Sequence, residues 1–296
     1  MMTERPLVAI ILVNYNGYKD TIDCVKSLQK ITYPNYKIIV VNNGSSEKPT
    51  EGQESFLREN TEYLDGTENK GFSSGNNIGM KYADRFSPKY YLLLNNDTEV
   101  KEDFLDILVE TAENNSDAGL VCGKIYQYYN PGHIWFAGGT MDPERGITTH
   151  YRYNEEDHDF SDRVEEIDFA TGCLWLLPVE TVKKVGYMDE SFFLYCEDDE
   201  YCLRLKKHGL KLLYCNRAVI YHKVSQSTGS GSFMQQYYIL RNKLYIIQKY
   251  AQKKGRAKWN LFVQCCKDIL RGRKKLRPVL RAYMDYKKNK TGKASL

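Results

Sequence analysis

The stretch that decides the fold is VAIILVN at residues 8–14, and two later segments repeat its pattern, IIVVNNG at 38–44 and YLLLNND at 91–97. Each is a continuous apolar run without polar alternation, as expected for a strand buried on both faces of a parallel sheet. Apolar residues at helical spacing follow the first and third runs, so strands alternate with helices. The pattern predicts βαβ units and therefore a doubly wound α/β sheet.

The chain after residue 125 departs from this pattern. Residues 130–166 read as loop-rich and polar. Residues 225–232 are rich in Gly and Ser and are predicted to form a loop, which could equally be a lid over a ligand or a plain linker. An amphipathic helix is predicted to follow at 233–247. A basic helical segment follows, broken at Gly272 and Pro278. Shorter elements are expected as a strand at 169–177, helices at 179–185 and 197–208, and a strand at 219–221.

Length and composition place the chain among soluble globular proteins of one or two domains. It has 296 residues, of which 42% are hydrophobic and 27% charged, which excludes collagen-like and disordered classes. No apolar run reaches the roughly 18 residues of a membrane-spanning helix, and we find no signal-peptide pattern. The eight cysteines are scattered without a CxxC pair, so we expect neither a disulfide framework nor a zinc site, and a reducing cytoplasm is the expected compartment.

The charge is distributed unevenly along the chain. Residues 251–296 hold 15 basic and 2 acidic residues, whereas the net charge of the whole chain is only +4. The mixture of apolar and basic residues in this tail favours an anionic membrane surface as partner. A solvated basic helix packed on the body is the alternative. Nucleic acid is not an expected partner, because no nucleic-acid-binding motif accompanies the charge.

Asparagines and an aspartate follow the three apolar strands. In an open α/β sheet, ligands lie beyond the carboxyl ends of the strands, where Asn14, Asn42 and 95–97 are expected. An amide offers both a donor and an acceptor, which suits the edge of a nucleobase or a sugar. Simple strand termination by Asn and Gly is the alternative. Neither GxxxxGK[ST] nor GxGxxG is present, which excludes a phosphate-cradling P-loop and argues against a dehydrogenase.

A divalent metal site is predicted at the third strand end. Asn95 and Asp97 lie two residues apart in an extended segment, so their oxygens can point the same way. Capping of the following helix explains the same residues equally well. His222 closes a late apolar strand, where a neutral imidazole would be a further metal ligand, although a lone histidine is more often structural.

Four adjacent acids, residues 197–200, begin an expected helix. The helix dipole favours carboxylates there, so capping is one interpretation. Crowding of four charges in a partly buried site would also raise the pKa of at least one of them, as a general base requires. Trp175, in an expected strand, is a candidate for stacking on a sugar ring, with a core position as the more common role of such a residue.

In order and spacing over residues 5–250, these segments resemble the family-two glycosyltransferases of the GT-A fold, especially their bacterial rhamnosyltransferase-like branch. The most specific segments are NKGFSSGNNIG at 69–79 and DESFFLYCEDDEYCLRLKKHG at 189–209. The resemblance implies a Rossmann-like, mixed, mainly parallel sheet flanked by helices, with a C-terminal helical extension. The implied units are a catalytic domain at 1–224 (nucleotide-sugar half 1–125, acceptor half 126–224), a flexible loop and amphipathic helix at 225–250, and a basic helical tail at 251–296.

The resemblance also implies roles for individual residues. Asp198, in its pair with Glu197, matches the catalytic base. Beside this resemblance, Glu197 and Trp175 are the residues that we expect on the acceptor side. Asp97, the last residue of a DxD-like triplet, and His222 match the ligands of Mn²⁺ or Mg²⁺. Arg241-Asn242 resembles a recurring pair. The residues implied for the nucleotide-sugar donor are Asn14, Asn16, Asn42, Asn69, Asn76, Asn95 and Asn96.

The implied reaction is inverting transfer from dTDP-rhamnose or a UDP-hexose to a hydroxyl of a glycan or lipid-linked acceptor, in bacterial cell-surface polysaccharide synthesis. The expected location is the cytoplasm, peripheral on the inner face of the cell membrane. A metal-dependent nucleotidyltransferase and a non-catalytic nucleotide-sugar-binding protein are the alternatives; the former usually has a Gly-rich basic phosphate loop, which is not seen here. The sequence departs from the family at Asn42, where an Asp is common, which removes a charge-assisted bond and leaves the choice of base open.

Overall fold

A computed structural model describes residues 5–224 and 231–295 of the chain. Of the predicted loop at 225–232, residues 225–230 lie outside the described residues. The strands are β1 (Val8–Asn14), β2 (Tyr36–Asn42), β3 (Glu62–Asp65), β4 (Tyr90–Asn95), β5 (Thr98–Val100), β6 (Ala118–Gln127), β7 (Asn130–Phe136), β8 (Gly139–Asp142), β9 (Ile147–His150), β10 (Val164–Ile167), β11 (Leu174–Pro178) and β12 (Lys211–His222). The helices are α1 (Tyr18–Leu28), α2 (Glu51–Asn60), α3 (Phe72–Ala83), α4 (Phe104–Glu113), α5 (Val179–Val185), α6 (Glu197–Lys207), α7 (Phe233–Tyr250), α8 (Lys254–Leu270) and α9 (Leu276–Lys287).

The three apolar runs form the centre of one large sheet. Strand β1 lies between β2 and β4 and is parallel to both, and nearly every residue of the three is buried. The strand order is β10-β12-β6-β11-β4-β1-β2-β3, with β5 added to β12 and β7 to β6. Because helices cover a sheet of this kind on both faces, its strands lack polar alternation. The predicted fold class, a mixed α/β sheet flanked by helices, is confirmed.

The half of the sheet after residue 125 is less parallel than expected. Strand β11 is antiparallel to both β4 and β6, and β10 is antiparallel to β12. The parallel pairs are therefore concentrated in β1–β4 and in the pair β6 and β12. An antiparallel strand inserted in the middle divides the sheet into a regular half and an irregular half.

Three sequence-based element predictions need correction. Residues 130–166, read as loop-rich, contain four short strands, including the hairpin of β8 and β9. These strands are partly exposed, so polar residues alternate through them and weaken the apolar signal. The predicted strand at 169–177 is shorter, at Leu174–Pro178, and the strand at 219–221 is the end of the long β12, which a register shift between Cys215 and Val219 divides.

The last three helices form a C-terminal extension with its own core. Apolar residues of α7, including Leu240 and Leu244, pack with Leu261 of α8 and Val279 of α9. Gly272 lies at the break between α8 and α9, as predicted, but Pro278 lies inside the first turn of α9, where its missing N–H needs no partner. No helix within the described parts of the chain combines the length and apolarity needed to cross a membrane. All eight cysteines are free thiols.

Candidate functional site

The polar strand ends of β1, β2 and β4 meet at one edge of the sheet. Asn14 lies opposite Asn42, and Asn95 lies opposite Val13, so the three strands end within one residue of each other. The backbone N–H of Asn43 donates to the carbonyl oxygen of Asn14 at 2.8 Å, which extends the pairing past the strand ends. The predicted convergence of these side chains at the carboxyl edge of the sheet is therefore confirmed.

Asn14 holds the turn after β1. Its side chain is fully buried, and its Oδ1 accepts from the Gly17 N–H at 3.1 Å and the Thr21 hydroxyl at 3.0 Å. Asn96 donates to the same Thr21 hydroxyl at 2.8 Å, so it fixes this turn to the end of β4. The prediction that Asn14 binds the donor directly needs correction, because its polar atoms are occupied inside the protein.

Two neighbouring loops at this edge are tied together by Asn16 and Asn42. Asn16 adopts a left-handed backbone with φ 59°, and its Oδ1 accepts from the Glu47 N–H at 3.1 Å. Asn42 Oδ1 accepts from the Ser45 N–H at 3.1 Å, and Ser45 Oγ in turn accepts from the Asn16 N–H at 3.0 Å. The loops after β1 and β2 thus form one polar surface beside the strand ends.

The segment that leads into α3 is fixed by asparagines of two loops. Asn43 donates to the Gly71 carbonyl oxygen at 3.1 Å, and Asn69 Oδ1 accepts from the Gly71 N–H at 2.9 Å. Asn76 lies within α3, is only 1% exposed and donates to the Phe72 carbonyl oxygen at 3.0 Å. Asn69 is therefore half-buried at the edge of the site. The prediction that Asn76 contacts the donor needs correction, because its amide is buried and bonded within the helix.

The two most specific sequence segments, at 69–79 and 189–209, contact each other directly. The Phe72 N–H donates to the Phe193 carbonyl oxygen at 3.1 Å. Gly71 has φ +91°, and a Cβ there would lie 2.2 Å from that same oxygen, so only glycine allows this crossing. The start of α3 is thereby held against the loop that precedes the acidic helix α6.

A second contact between these segments was not predicted from the sequence. Glu190 accepts from the Ser74 hydroxyl at 2.6 Å and from the Asn77 amide at 2.9 Å. Asn77 also donates to the Met188 carbonyl oxygen at 2.9 Å and accepts from the Met188 N–H at 3.0 Å. The glycine- and asparagine-rich composition of 69–79 was the available signal, but it did not name the partner.

Asp97 and His222 come together although they are far apart in sequence. His222 Nε2 lies 3.1 Å from Asp97 Oδ1, and both side chains are largely buried. Burial lowers the pKa of His222, but Cys173 and Asp97 more than offset this, and the pKa is raised to about 10. The imidazole packs edge-on against Trp135 with ring centroids 4.5 Å apart, and its Nδ1 is buried without a hydrogen-bond partner.

This pair fits part of a divalent metal site. A carboxylate oxygen and an imidazole nitrogen both suit Mn²⁺, and here these two atoms lie 3.1 Å apart. Within the described parts of the chain, no group of three His, Cys, Asp or Glu side chains is arranged to hold a metal by itself. The pair therefore fits a metal whose remaining ligands come from phosphate oxygens and water, as is common for Mg²⁺.

A strained turn positions the acidic helix α6. Tyr195 and Cys196 both have φ 66°, which is costly for residues with a side chain, and they lie directly before Glu197. Asn242 of α7 donates to the carbonyl oxygens of Leu194 at 2.9 Å and Tyr195 at 2.7 Å. One member of the pair Arg241-Asn242 thus holds the turn that aims the acidic residues.

Asp198 is anchored with its carboxylate beside the segment 171–173. Its Oδ2 accepts from the Gly172 N–H at 3.3 Å and its Oδ1 from the Asp199 N–H at 2.9 Å. Burial and the charge of Asp199 raise the pKa of Asp198 to about 7, against the opposing effect of these N–H donors. Burial and Asp198 also raise the pKa of Glu197, whose Oε2 has no hydrogen-bond partner. Both residues are half-buried, and Glu197 Oε2 is a buried atom.

The other two acids of the run have structural partners. The Thr148 hydroxyl donates to Asp199 Oδ1. Glu200 is fully buried and binds Arg204 at 2.8 Å, with Lys249 and the Tyr250 hydroxyl each at 2.7 Å. Glu197 and Asp198 are therefore the members of the run left for chemistry.

The segment 171–173 connects the acidic helix to the Asp97–His222 pair. The Gly172 N–H bonds Asp198, and the Cys173 carbonyl oxygen accepts from the Asn95 N–H at 2.9 Å. Cys173 also contacts His222, and a Cβ at Gly172 would meet Phe72 Cε1 at 3.3 Å. The proposed base, the proposed metal ligands and the start of α3 thus form one continuous site.

The prediction that Trp175 contacts the acceptor is wrong. Its side chain is fully buried in β11, its Nε1 donates to the Ala170 carbonyl oxygen at 3.2 Å, and its ring stacks on Tyr201. A side chain without exposed surface cannot stack on a sugar. Its role is to pack the sheet against α6.

The sequence reading missed residues that the irregular half contributes. His150 of β9 stacks on Phe169, lies edge-on to Trp135, and has a pKa lowered by burial. Lys223, directly after β12, is 8% exposed and pairs with Asp23 at 2.8 Å. The strand that carries His222 was predicted from its apolar residues, whereas the hairpin of β8 and β9 that carries His150 was not predicted. Two cavities, of about 280 and 220 Å³, contain none of the predicted site residues.

Comparison with known proteins finds similarity to glycosyltransferases. The chain is 25% identical over 241 residues to a low-salt glycan biosynthesis hexosyltransferase of Haloferax volcanii, covering 80% of this chain and 74% of the relative. It is 28% identical over 223 residues to a poly-beta-1,6-N-acetyl-D-glucosamine synthase of Staphylococcus epidermidis, covering 75% of this chain and 51% of the relative.

Two solved structures share the fold. GalNAc-T7 with UDP, GalNAc and Mn²⁺ matches with a TM-score of 0.68 at 15% identity, over 84% of this chain and half of that chain. A mannosyltransferase of Pyrobaculum calidifontis in complex with GDP-Man and Mn²⁺ matches with a TM-score of 0.58 at 14% identity, over 95% of this chain and 74% of that chain. The model of glycosyl transferase family 2 matches residues 9–186, more than half of the sequence. The matched region contains the three strand ends, and the acidic helix α6 begins shortly after it. The chain belongs to glycosyl transferase family 2.

Proposed function

We propose that the protein is an inverting glycosyltransferase that moves a sugar from a nucleotide-diphosphate donor to an acceptor hydroxyl. The observation that carries the proposal is the half-buried Asp198 carboxylate, which the Gly172 N–H holds beside the segment 171–173 and whose pKa is raised to about 7. A carboxylate with this pKa is protonated and deprotonated near neutral pH, which suits a general base. Membership of glycosyl transferase family 2 supports the reaction class.

The donor is proposed to lie along the polar loops at the carboxyl edge of the sheet. Asn16, Asn69 and Asn95 are half-buried there, whereas Asn42 is buried and holds the loop after β2 through the Ser45 N–H. Asn96 is also half-buried and bonds the Thr21 hydroxyl. dTDP-rhamnose or a UDP-hexose is the proposed donor. The hexosyltransferase relative supports a hexose, whereas the bound UDP and GDP-Man of the two structural neighbours belong to proteins that share only the fold.

The proposed chemistry is a single displacement. The acceptor hydroxyl oxygen attacks the anomeric carbon, its proton passes to the Asp198 carboxylate, and the bond between the anomeric carbon and the diphosphate oxygen breaks. The bonding electrons leave with the diphosphate. Glu197, beside Asp198, is proposed to orient the acceptor, and Gly172 keeps the base fixed through its N–H. No protein nucleophile is required.

Asp97 and His222 are the residues proposed to hold a divalent cation, Mn²⁺ or Mg²⁺. When bound, this cation would stabilise the negative charge of the departing diphosphate. Trp135 supports the His222 ring from the side, at a centroid distance of 4.5 Å. Cys173 contacts His222, and the adjacent Gly172 donates to Asp198. The proposed cation site and the proposed base therefore lie on either side of one short segment.

The acceptor is proposed to be a glycan or a lipid-linked glycan presented at an anionic membrane. Helices α8 and α9 expose large apolar side chains among their basic residues, which supports a surface that dips into lipid headgroups. The exposed fractions are 64% for Trp259 and 87% for Leu270. The other exposed apolar residues of this face are Phe262, Leu276, Leu280 and Met284.

Point variants test the membrane proposal better than removal of residues 251–296. The tail packs against α7 through Val279 and through Asp285, so its deletion would expose the second core. The double variant Trp259→Ser with Leu270→Ser should reduce flotation with phosphatidylglycerol-containing vesicles severalfold. Tyr129→Ser is the control, because Tyr129 is an aromatic residue that is 80% exposed and lies outside α8 and α9. Unchanged flotation of the double variant would contradict the proposal.

A ligand screen tests the transferase proposal itself. Thermal shift with dTDP-rhamnose, UDP-glucose, UDP-N-acetylglucosamine and GDP-mannose, each with Mn²⁺ and with chelator, should give one metal-dependent stabilisation. That sugar nucleotide is then assayed for release of its nucleoside diphosphate with candidate acceptors. Release of pyrophosphate from a nucleoside triphosphate and sugar phosphate would favour a nucleotidyltransferase instead. Stabilisation by no sugar nucleotide would contradict the proposal.

A further inference from the structure

A second candidate site lies between the C-terminal helices, away from the sheet edge. A cavity of about 220 Å³ separates α7 and α9 from the segment 290–295. It is several times larger than the roughly 30 Å³ share of one water molecule, so it has room for a small polyatomic ion. Its charged lining is Arg241 of α7, Arg281 and Asp285 of α9, and Lys290 and Lys293.

Arg241 is the unusual member of this lining. Its side chain is fully buried, yet its guanidinium is only partly satisfied. Nε donates to Asn242 Oδ1 at 3.1 Å and Nη1 to the Tyr237 hydroxyl at 3.4 Å, whereas Nη2 has no hydrogen-bond partner. The rings of Tyr237 and Tyr238 lie 5.4 and 4.9 Å from its Cζ. Cation–π contacts offset part of the cost of burying this charge, but they leave the Nη2 hydrogens unpaired.

The carboxylate of the described lining is already engaged with other cations. Asp285 binds Arg281 at 2.7 Å and Lys290 at 3.5 Å, and accepts from the Tyr237 hydroxyl at 2.9 Å. Lys293 lies 3.9 Å from Glu68 and over the ring of Phe193, and the side chains of Lys293 and Glu68 are more than half exposed. The described lining therefore holds four cations against one carboxylate, and the buried Arg241 is one of the four.

We propose that this cavity binds a phosphate-bearing anion, such as a phosphate monoester or a diphosphate group. A guanidinium pairs with phosphate oxygens in a bidentate geometry, and Lys293 at the rim would add a second charge-assisted contact. The same anion could come from a lipid headgroup or from a soluble phosphate compound. The proposal does not depend on the glycosyl transfer reaction, because none of its residues belongs to the sheet-edge site.

The occupant would be linked to the acidic helix by one short chain of contacts. Arg241 orients Asn242 through the Nε bond, and Asn242 holds the carbonyl oxygens of Leu194 and Tyr195 in the strained turn before α6. An anion bound beside the Arg241 guanidinium would therefore fix a side chain that already positions this turn. Arg241 is a positioning residue in this arrangement, with no contact to the reacting groups.

Calorimetric titration of the full-length protein with inorganic pyrophosphate tests the proposal. The buffer contains EDTA, so that metal-dependent binding at Asp97 is not measured. Lys293→Glu reverses a half-exposed rim charge, and should weaken pyrophosphate binding at least about tenfold. Arg241→Lys should weaken it to a similar extent. Lys287→Glu, an exposed residue of α9 outside the lining, is the charge-matched control and should bind like the wild type.

A second arm identifies the source of the anion. Flotation is measured with phosphatidylcholine vesicles that contain or lack phosphatidic acid. A soluble phosphate ligand is supported if pyrophosphate binds and if only Lys293→Glu and Arg241→Lys weaken this binding. Binding to phosphatidic acid alone, with the same dependence on the variants, supports a lipid headgroup. Equal losses in Lys293→Glu and Lys287→Glu, or an unchanged affinity in Lys293→Glu, or no binding of either probe, would overturn the site.

Discussion

The pH dependence of sugar transfer should follow the ionisation of Asp198. A general base works only as the carboxylate, and burial with the charge of Asp199 raises its pKa to about 7. The active fraction is then about 90% at pH 8, about half at pH 7 and about 9% at pH 6. Between pH 8 and pH 6, kcat/KM should fall about tenfold, whereas an aspartate with its ordinary pKa near 4 would leave the rate unchanged over that range.

A variant of the neighbouring acid identifies the cause of this shift. Asp199→Asn removes the charge that, after burial, contributes most to the raised pKa of Asp198, and asparagine can still accept from Thr148. The acidic limb of the profile should therefore move to lower pH. Asp117→Asn, an exposed carboxylate that pairs with Lys211 far from the site, is the control and should leave the limb in place.

The assay measures initial rates of nucleoside diphosphate release at subsaturating donor and acceptor between pH 5 and 9. Each sample is also returned to pH 8 and assayed again, so that loss of folded protein is separated from protonation. A rate that is flat between pH 5.5 and 8 refutes the raised pKa of Asp198. A limb that stays in place in Asp199→Asn refutes the electrostatic origin of the shift.

Three other outcomes follow from the structure. Asp97→Ala should give the same calorimetric donor affinity with and without Mn²⁺, and a remaining metal effect would exclude Asp97 as the ligand. Gly71→Ala should lower the free energy of unfolding in urea by about 2 kcal/mol or more, because Gly71 has a positive φ and no space for a Cβ. Gly52 lies in open space on α2, so Gly52→Ala should raise the free energy of unfolding by about 0.5–1 kcal/mol. A larger loss of stability in Gly52→Ala than in Gly71→Ala would contradict the packing. Asn242→Ala should lower kcat about tenfold or more through the turn before α6, with little change in KM, and an effect on KM alone would contradict a positioning role.

The regular half of the sheet could be predicted because its signal is local. A strand buried on both faces has no polar residue, so the runs at 8–14, 38–44 and 91–97 identify themselves. The polar residues that end these strands then fall at one edge without further information, since parallel neighbours end together. Residues 130–166 gave no such signal, because their short strands are partly exposed and alternate in polarity.

The sequence identified most residues near the site, but it could not predict the burial and hydrogen-bond partners of each one. Asp97 and His222 are 125 residues apart in sequence, and only the fold brings them to 3.1 Å. Residue type alone could not separate the asparagines that brace the scaffold from those that remain accessible, because both sets follow strand ends. Trp175 shows the same limit, since an aromatic residue in a strand is compatible with the core and with a ligand surface until burial is known.

The role of Asp198 is tested most directly by Asp198→Asn, which keeps the shape of the side chain and removes its basicity. Donor affinity by calorimetry should stay within about twofold of the wild type, while turnover with a saturating acceptor falls by about 10²–10⁴-fold or more. Turnover within tenfold of the wild type, or loss of donor binding together with turnover, would contradict the account.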